Sequence, residues 1–316
     1  MRFSFTDDQR LFAEGLRDLL SNECPASHVR ETWDDGTGHS PGLWRKLGEM
    51  GVLSILVPEE HGGMGASPVD SVLLFQELGR AAVPGPVLEH MSVVAPTLAA
   101  IQPGVVDGSW IGTLALESES LVPHASASHG VLTGEDLVED FAVADRHGID
   151  GGRRLAAIDG GRRTAVDVDV ERARLSITLA TSAYLVGLGE RMIDIAAEYA
   201  RQREQFGKPI GSFQAVKHLM SDALLKVEFA KAPTYRAAWS LASGSATADR
   251  DVSMAKALAS EAAYRASRGS MQVLGGIGYT WEADLQLFMK KSWALMRAHG
   301  DAVHHRRRVG ASVLGS

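Results

Sequence analysis

Cys24 is the only cysteine in this 316-residue chain, so an intramolecular disulfide is excluded. A chain of this length buries a substantial core without that staple, and a reducing compartment fits it. No local arrangement of cations marks Cys24 as reactive, so it reads as a small packed side chain. Long apolar runs are also missing: none approaches the ~18–20 residues that a membrane span requires. The N-terminus, Met1 to Asp8, lacks the apolar stretch of a signal peptide, and a cytoplasmic protein is expected. Positive charge is outnumbered, 32 Lys and Arg against 39 Asp and Glu, and no basic stripe offers a surface to nucleic acid. The one dense basic run, Arg306-Arg307-Arg308, reads as a solvated helix end. His304 and His305 precede it, but adjacent side chains on a helix diverge and no carboxylate pair accompanies them, so no metal site is expected.

What is present falls into three textures. Residues 1–104 read as an N-terminal α-helical domain. Thr6 and Gln9 form a capping box ahead of Leu11, Phe12, Leu16, Leu19 and Leu20, which fixes a helix over 5–21. Further helices are expected over 42–50, 67–81 and 86–101. Between the second and third, Pro58, Gly62, Gly63 and Gly65 make a tight exposed loop, with Glu59 and Glu60 solvated. Residues 105–173 read as a shortened middle β domain of six or seven strands at most, antiparallel. Candidates are 113–116, 141–144 and 155–158, the last joined through Asp159-Gly160-Gly161 as a hairpin to the alternating run 165–170. That Gly-Gly turn is structural, since no helix follows it to hold a phosphate. Residues 174–316 read as a C-terminal four-helix bundle with helices near 175–203, 212–241, 246–274 and 285–298. Val216, Leu219, Met220, Ala223, Val227 and Ala230 share one face of the second, and Trp239, Trp281 and Trp293 read as packing residues. The fold class expected is α+β.

The stretch from Arg201 to Gln214 organises the chain. Arg203 and Phe206, three apart, are expected on one face of a last helical turn, with Gly207 as a left-handed cap and Pro209 barring resumption. Such a corner presents a guanidinium, suited to bidentate phosphate binding, beside an aromatic ring. Taken alone it reads first as a surface arginine complementing a helix dipole.

Three stretches together give a more specific likeness. Val57-Pro58-Glu59-Glu60-His61-Gly62-Gly63-Met64-Gly65 is one. Arg203-Glu204-Gln205-Phe206-Gly207, running on through Ile210, Phe213, Gln214, His218 and Asp222, is the second. Gln272-Val273-Leu274-Gly275-Gly276-Ile277-Gly278-Tyr279-Thr280 is the third. In this order and spacing the chain resembles the acyl-CoA dehydrogenases along nearly its whole length, least well over 107–170. The resemblance implies FAD bound at a subunit boundary, an acyl-CoA substrate, and an electron-transfer flavoprotein as acceptor. In the family one subunit's β domain and bundle seat the flavin, while its neighbour reaches across to the pyrophosphate and adenosine end. Carried over by motif, the residues lent are Arg203, Phe206, Ile210, Phe213, Gln272, Gly275 and Gly276. An arginine neutralises phosphate there, and glycines admit close backbone approach.

The departures are as informative. Family members remove the α-proton with a glutamate near the C-terminus, or with one on the first bundle helix. The matching positions here are His299, in Arg297-Ala298-His299-Gly300-Asp301, and Ile177. Neither is an acid, and a base must reach its proton. The flavin cradle of the middle domain leaves only an echo in Leu114-Ala115-Leu116-Glu117-Ser118-Glu119-Ser120 and in Val131-Leu132-Thr133-Gly134. Asp301 replaces the threonine that follows the family's Glu-Gly. The chain therefore resembles the short non-catalytic subunit of the heterotetrameric, two-plus-two enzymes of actinobacteria that act on steroid side-chain thioesters. A homologous catalytic partner then supplies the glutamate, and this chain contributes no catalytic residue. Two other readings stay open: a self-sufficient homotetramer with Asp301 or His299 as base, and a flavin-free scaffold on the same fold.

Overall fold

A computed structural model describes residues 4–116 and 121–315; the flavin-cradle echo at Glu117 to Ser120 lies outside them. The chain packs as two compact units. One comprises Met1–Leu74 with Val83–Ala180, the other Phe75–Ala82 with Thr181–Ser316.

The first unit opens with α1 (Asp7–Glu23), α2 (Ala26–Asp34), α3 (Pro41–Glu49) and α4 (Pro68–Arg80), which runs on into the second. The capping box holds: Gln9 N donates to Thr6 Oγ1 at 3.2 Å, and Gln9 Oε1 accepts from Thr6 N at 2.8 Å. No signal announced α2, because its N-cap is Pro25, which forms no side-chain bond. The helix expected over 86–101 is broken into α5 (Val87–Glu89), a π turn over His90–Val94 and α6 (Ala95–Leu98), followed by α7 (Gly104–Asp107). Pro96 withdraws one backbone donor and Ser92 Oγ bonds Leu88 O at 2.6 Å, both of which perturb a regular ladder. His90 sits here, fully buried. Its Nε2–H donates to Val105 O at 2.9 Å and its Nδ1 accepts from Gly112 N at 3.3 Å, so the ring is neutral. Trp44 packs edge-on to it and to His39. Burial lowers the pKa of both His39 and His90 to about 4. Cys24 is buried, as expected.

Among the described residues seven short strands follow in two sheets. The first has the order β1 (Gly112–Ala115), β3 (Gly130–Thr133), β4 (Asp136–Glu139), β7 (Arg162–Ala165). The second is β2 (Val122–Pro123), β6 (Leu155–Asp159), β5 (Ala142–Arg146). Val122, Ala125, Val131 and Ala156 form their core. Two expectations need correction. The β1–β3 pair is parallel, the others antiparallel. Gly160-Gly161 closes no hairpin: β6 pairs with β5, whereas β7 pairs with β4 in the other sheet. The two glycines carry the chain between sheets. Gly161 has φ of 98°, and a Cβ there would lie 2.8 Å from Glu139 O. Residues 166–169 are not strand; Asp169 instead starts a helix, its Oδ1 accepting from Arg172 N at 2.9 Å.

That helix is α8 (Val170–Gln202), which leads into the second unit. There β8 (Glu204–Gln205) and β9 (Lys208–Pro209) precede α9 (Gln214–Ala242), α10 (Ala248–Leu274), α11 (Leu285–Leu295) and α12 (Ala302–Leu314). The last of these lies beyond the four expected bundle helices, and the basic run 306–308, expected at a helix end, falls in its middle. Close helix approach explains the small residues. A Cβ on Gly79 of α4 would stand 2.1 Å from Tyr184 O, and one on Gly187 of α8 would stand 1.9 Å from Gln76 O. Ser270 Oγ of α10 reaches Met192 O at 2.8 Å. Buried Asp251 is satisfied by Ser240, Thr247, Arg236 and Arg250. On α9, Ala223, Val227 and Ala230 are buried, Val216, Leu219 and Met220 half-buried, while Leu224, Leu225 and Phe229 face outward. Among the described residues no helix is long and apolar enough to cross a membrane.

Candidate functional site

The corner after α8 is built differently from the helical turn expected of it. Arg203 N makes the last helical bond, to Tyr199 O at 2.8 Å, and the chain then turns back on itself. Glu204 pairs with Pro209 and Gln205 with Lys208, antiparallel. Phe206 and Gly207 are the two central residues, with φ of 54° and 75°. Two successive positive φ values match the twist of a tight hairpin, so Phe206 is a loop tip and shares no helical face with Arg203. Ile210 N then donates to Arg203 O at 2.8 Å, and Phe213 N to Ile210 O at 3.1 Å, which locks the hairpin to the start of α9.

The corner leaves both expected side chains, the Arg203 guanidinium and the Phe206 ring, exposed. Phe206 is 92% exposed, and its ring stands edge-on to Phe213 at 6.1 Å. Lys208 lies over the Phe213 ring at 4.6 Å, a second cation that the motif did not single out although it stands in plain sequence there. Arg203 is exposed, and no carboxylate holds it among the described residues. A ring of this size left in water is unusual for a residue with core to join. Ile210 is half-buried beneath.

The second group lies at the C-terminus of α10. Gln272 is exposed; Gly275, with φ of 60° and ψ of −136°, takes a backbone shape that glycine alone adopts readily. Gly276 is different. Its φ is not positive, and a Cβ there would meet nothing of this chain within 4 Å. Neither its backbone nor its packing requires glycine, so room is left on its outer side. A Cβ on Gly269 of α10 would touch Ala223 at 3.5 Å and Leu219 O at 3.8 Å. Helices α9 and α10 therefore run antiparallel, and the start of one and the end of the other share an end of the pair. Both groups gather there. Exposed Ile277, Tyr279 and Trp281 continue the second, so Trp281 is not a packing residue; Lys290 lies over its ring at 4.2 Å. Trp293 does pack, bonding Ser267 Oγ at 3.1 Å.

An anionic group with a flat end fits these features: an exposed guanidinium, an outward ring, and backbone without side chains. Neither position matched to the family's base holds a carboxylate. Ile177 is fully buried in α8. His299 has φ of 56°, and its carbonyl accepts from His305 Nε2 at 2.9 Å. Asp301 is the N-cap of α12, accepting from His304 N at 2.8 Å, with Arg297 at 3.7 Å. The backbone bond from His304 holds its carboxyl below the usual carboxylate range. No cluster of His, Cys, Asp or Glu among the described residues is arranged to hold a metal.

Comparison with known proteins agrees with this architecture. The family description "Acyl-CoA dehydrogenase, N-terminal domain" matches residues 6–101, and "Acyl-CoA dehydrogenase, C-terminal domain" matches 161–314. The acyl-CoA dehydrogenase IpdE2 of Mycolicibacterium smegmatis is 31% identical over 319 residues, covering 98% of this chain and 99% of that one. IpdE2 of Mycobacterium tuberculosis is 32% identical over 309 residues, covering 94% and 92%. Among solved structures, a chain of the ChsE4-ChsE5 complex from Mycobacterium tuberculosis superposes with a TM-score of 0.91 at 26% identity, covering all of both. The chain belongs to the acyl-CoA dehydrogenase family.

Proposed function

We propose that this chain is the non-catalytic subunit of a heteromeric, FAD-dependent acyl-CoA dehydrogenase. Its part is to lend Arg203, Phe206, Ile210, Phe213, Gln272, Gly275 and Gly276 to a flavin seated on a homologous partner. The observation that carries this reading is the mismatch between two ends of one chain. The corner at Phe206 is exposed and directed away from its own core, whereas Ile177 and His299 occupy the positions of the base. The bound cofactor supplies the hydride-accepting ring; this chain's residues neutralise and orient its pyrophosphate end. One solved relative covered in full is the ChsE4-ChsE5 complex, which supports a heteromeric assembly; two copies of each chain is what the actinobacterial resemblance implies. A bulky acyl-CoA, of the steroid side-chain class, follows from the actinobacterial resemblance, as do an electron-transfer flavoprotein as acceptor and a cytoplasmic place. We read 1–104, 105–173 and 174–316 as the N-terminal, middle and C-terminal domains of that assembly.

Asp301 makes a poor base, since its carboxylate already caps α12. The test is a flavin count by absorbance on the chain purified alone and with its partner. No retained FAD alone, and stoichiometric flavin only in the complex, is the expected result. A bright yellow isolated chain that oxidises thioesters would overturn the proposal.

A further inference from the structure

Among the described residues Lys256 is the largest charged side chain that is fully buried, and neither the flavin reading nor the resemblance uses it. We propose that Lys256 is a positioning residue that clamps the turn between α11 and α12 from inside, through the carbonyls of Met296 and Gly300. The proposal stands on this turn's geometry and is independent of where flavin is held.

The turn needs holding. Met296 ends α11, and its carbonyl is one of those a helix C-terminus leaves without an internal partner. His299 and Gly300 follow with φ of 56° and 92°, two left-handed residues in a row, of which the first is not glycine. Asp301 then restarts the chain as the cap of α12. A Cβ at Gly300 would lie 2.8 Å from His305 Nε2, so the turn is pressed against α12.

Lys256 Nζ meets three acceptors and has three N–H donors. They are Gly300 O at 2.9 Å, Met296 O at 3.3 Å and Ser260 Oγ at 3.3 Å. His305 Nε2 takes His299 O, and Ser253 Oγ lies 3.2 Å from its other ring nitrogen. The carbonyls of residues 296, 299 and 300 thus each accept from a buried side chain of α10 or α12. No carboxylate among the described residues lies within ion-pair distance of the lysine. Burial lowers its pKa to about 7, with Asp301 the opposing attraction. The other charges nearby are engaged: Glu261 with Arg306, Arg297 with Asp301, Asp251 with Arg236 and Arg250. A buried cation facing only backbone and hydroxyl oxygens is poor design for stability alone. Its donors, and not its charge, match what the turn lacks. Losing the proton still leaves two N–H donors for the two carbonyls, so the clamp does not depend on pH.

Segment-resolved hydrogen exchange on the full-length chain tests this. Lys256→Met keeps the stem and removes the donors. Exchange protection over residues 296–305 should fall by about tenfold or more, while α9 and the rest of α10 keep theirs. Unchanged protection of the turn, or an equal loss along all of α10, would overturn the proposal in favour of a packing role. Should that variant not fold, acetic anhydride labelling of the wild-type chain decides. Lys256 should be acylated no faster than the 296–305 segment opens to exchange, and faster acylation would place the amine outside the turn's control.

Discussion

Arg203 and Asp301 are both charged side chains at the edge of a helix, and only one of them has a use inside this chain. Asp301 caps α12 through His304 N and faces Arg297. Arg203 contributes its backbone to the hairpin, but its guanidinium meets no carboxylate among the described residues. Replacing each should therefore separate stability from binding. Asp301→Ala should lower the melting temperature by a few degrees through loss of the cap, with turnover of the partnered complex kept. Arg203→Ala should leave the melting temperature of the chain unchanged and weaken flavin retention in the complex by about ten- to a hundredfold. Equal flavin content in wild-type and Arg203→Ala complexes, read by absorbance after dialysis, would remove the phosphate role.

At the scale of elements, glycines divide into those the fold uses and those it does not. Gly79 lies where α4 meets α8, with Tyr184 O in the way of any side chain. Gly79→Ala should cost about 1–3 kcal/mol, measured by urea unfolding, since backbone must move. Gly276→Ala adds a methyl to open space, so chain stability should stay within about 0.5 kcal/mol. Its effect should appear as weaker flavin binding in the complex, and its absence there would make Gly276 incidental. The sequence revealed elements where local chemistry was unambiguous. Thr6 and Gln9 fixed α1, and the long apolar periodicities fixed α8 to α11 to within a few residues. What stayed hidden was set by tertiary context. Phe206-Gly207 does not look like a hairpin turn because aromatic residues seldom take positive φ; the pairing of Glu204 with Pro209 and Gln205 with Lys208 reveals it, closed by the bond from Ile210 N. Gly160-Gly161 looks like a hairpin, yet the strands it joins find partners in different sheets. The basic run 306–308 signals a helix but not its extent: α12 starts at the Asp301 cap and continues past the run to Leu314. The candidate site's residue types are the ones the motifs propose; their gathering at one end of the α9–α10 pair is not legible there, since it depends on how two helices pack.

The whole molecule carries a pH signature of its own. His39 and His90 are neutral when folded, with pKa values of about 4 against an ordinary 6.5. Between those values the unfolded chain binds protons that the folded chain does not, so stability is full above about pH 6.5 and falls toward pH 4. Each histidine should contribute a loss of about 3 kcal/mol across that window. The urea midpoint should drop steeply between pH 7 and 4.5; ring resonances of either histidine titrating at its ordinary value would contradict the assignment.

Phe206, Tyr279 and Trp281 remain 92%, 78% and 65% exposed. A cell that synthesises more of this polypeptide than of whatever covers those rings is left with surplus copies whose greasiest side chains sit in water. Such copies adhere to one another and attract chaperones and proteases. Under the heteromeric reading proposed above, matched production of both chains is then a condition for the assembly to accumulate at all.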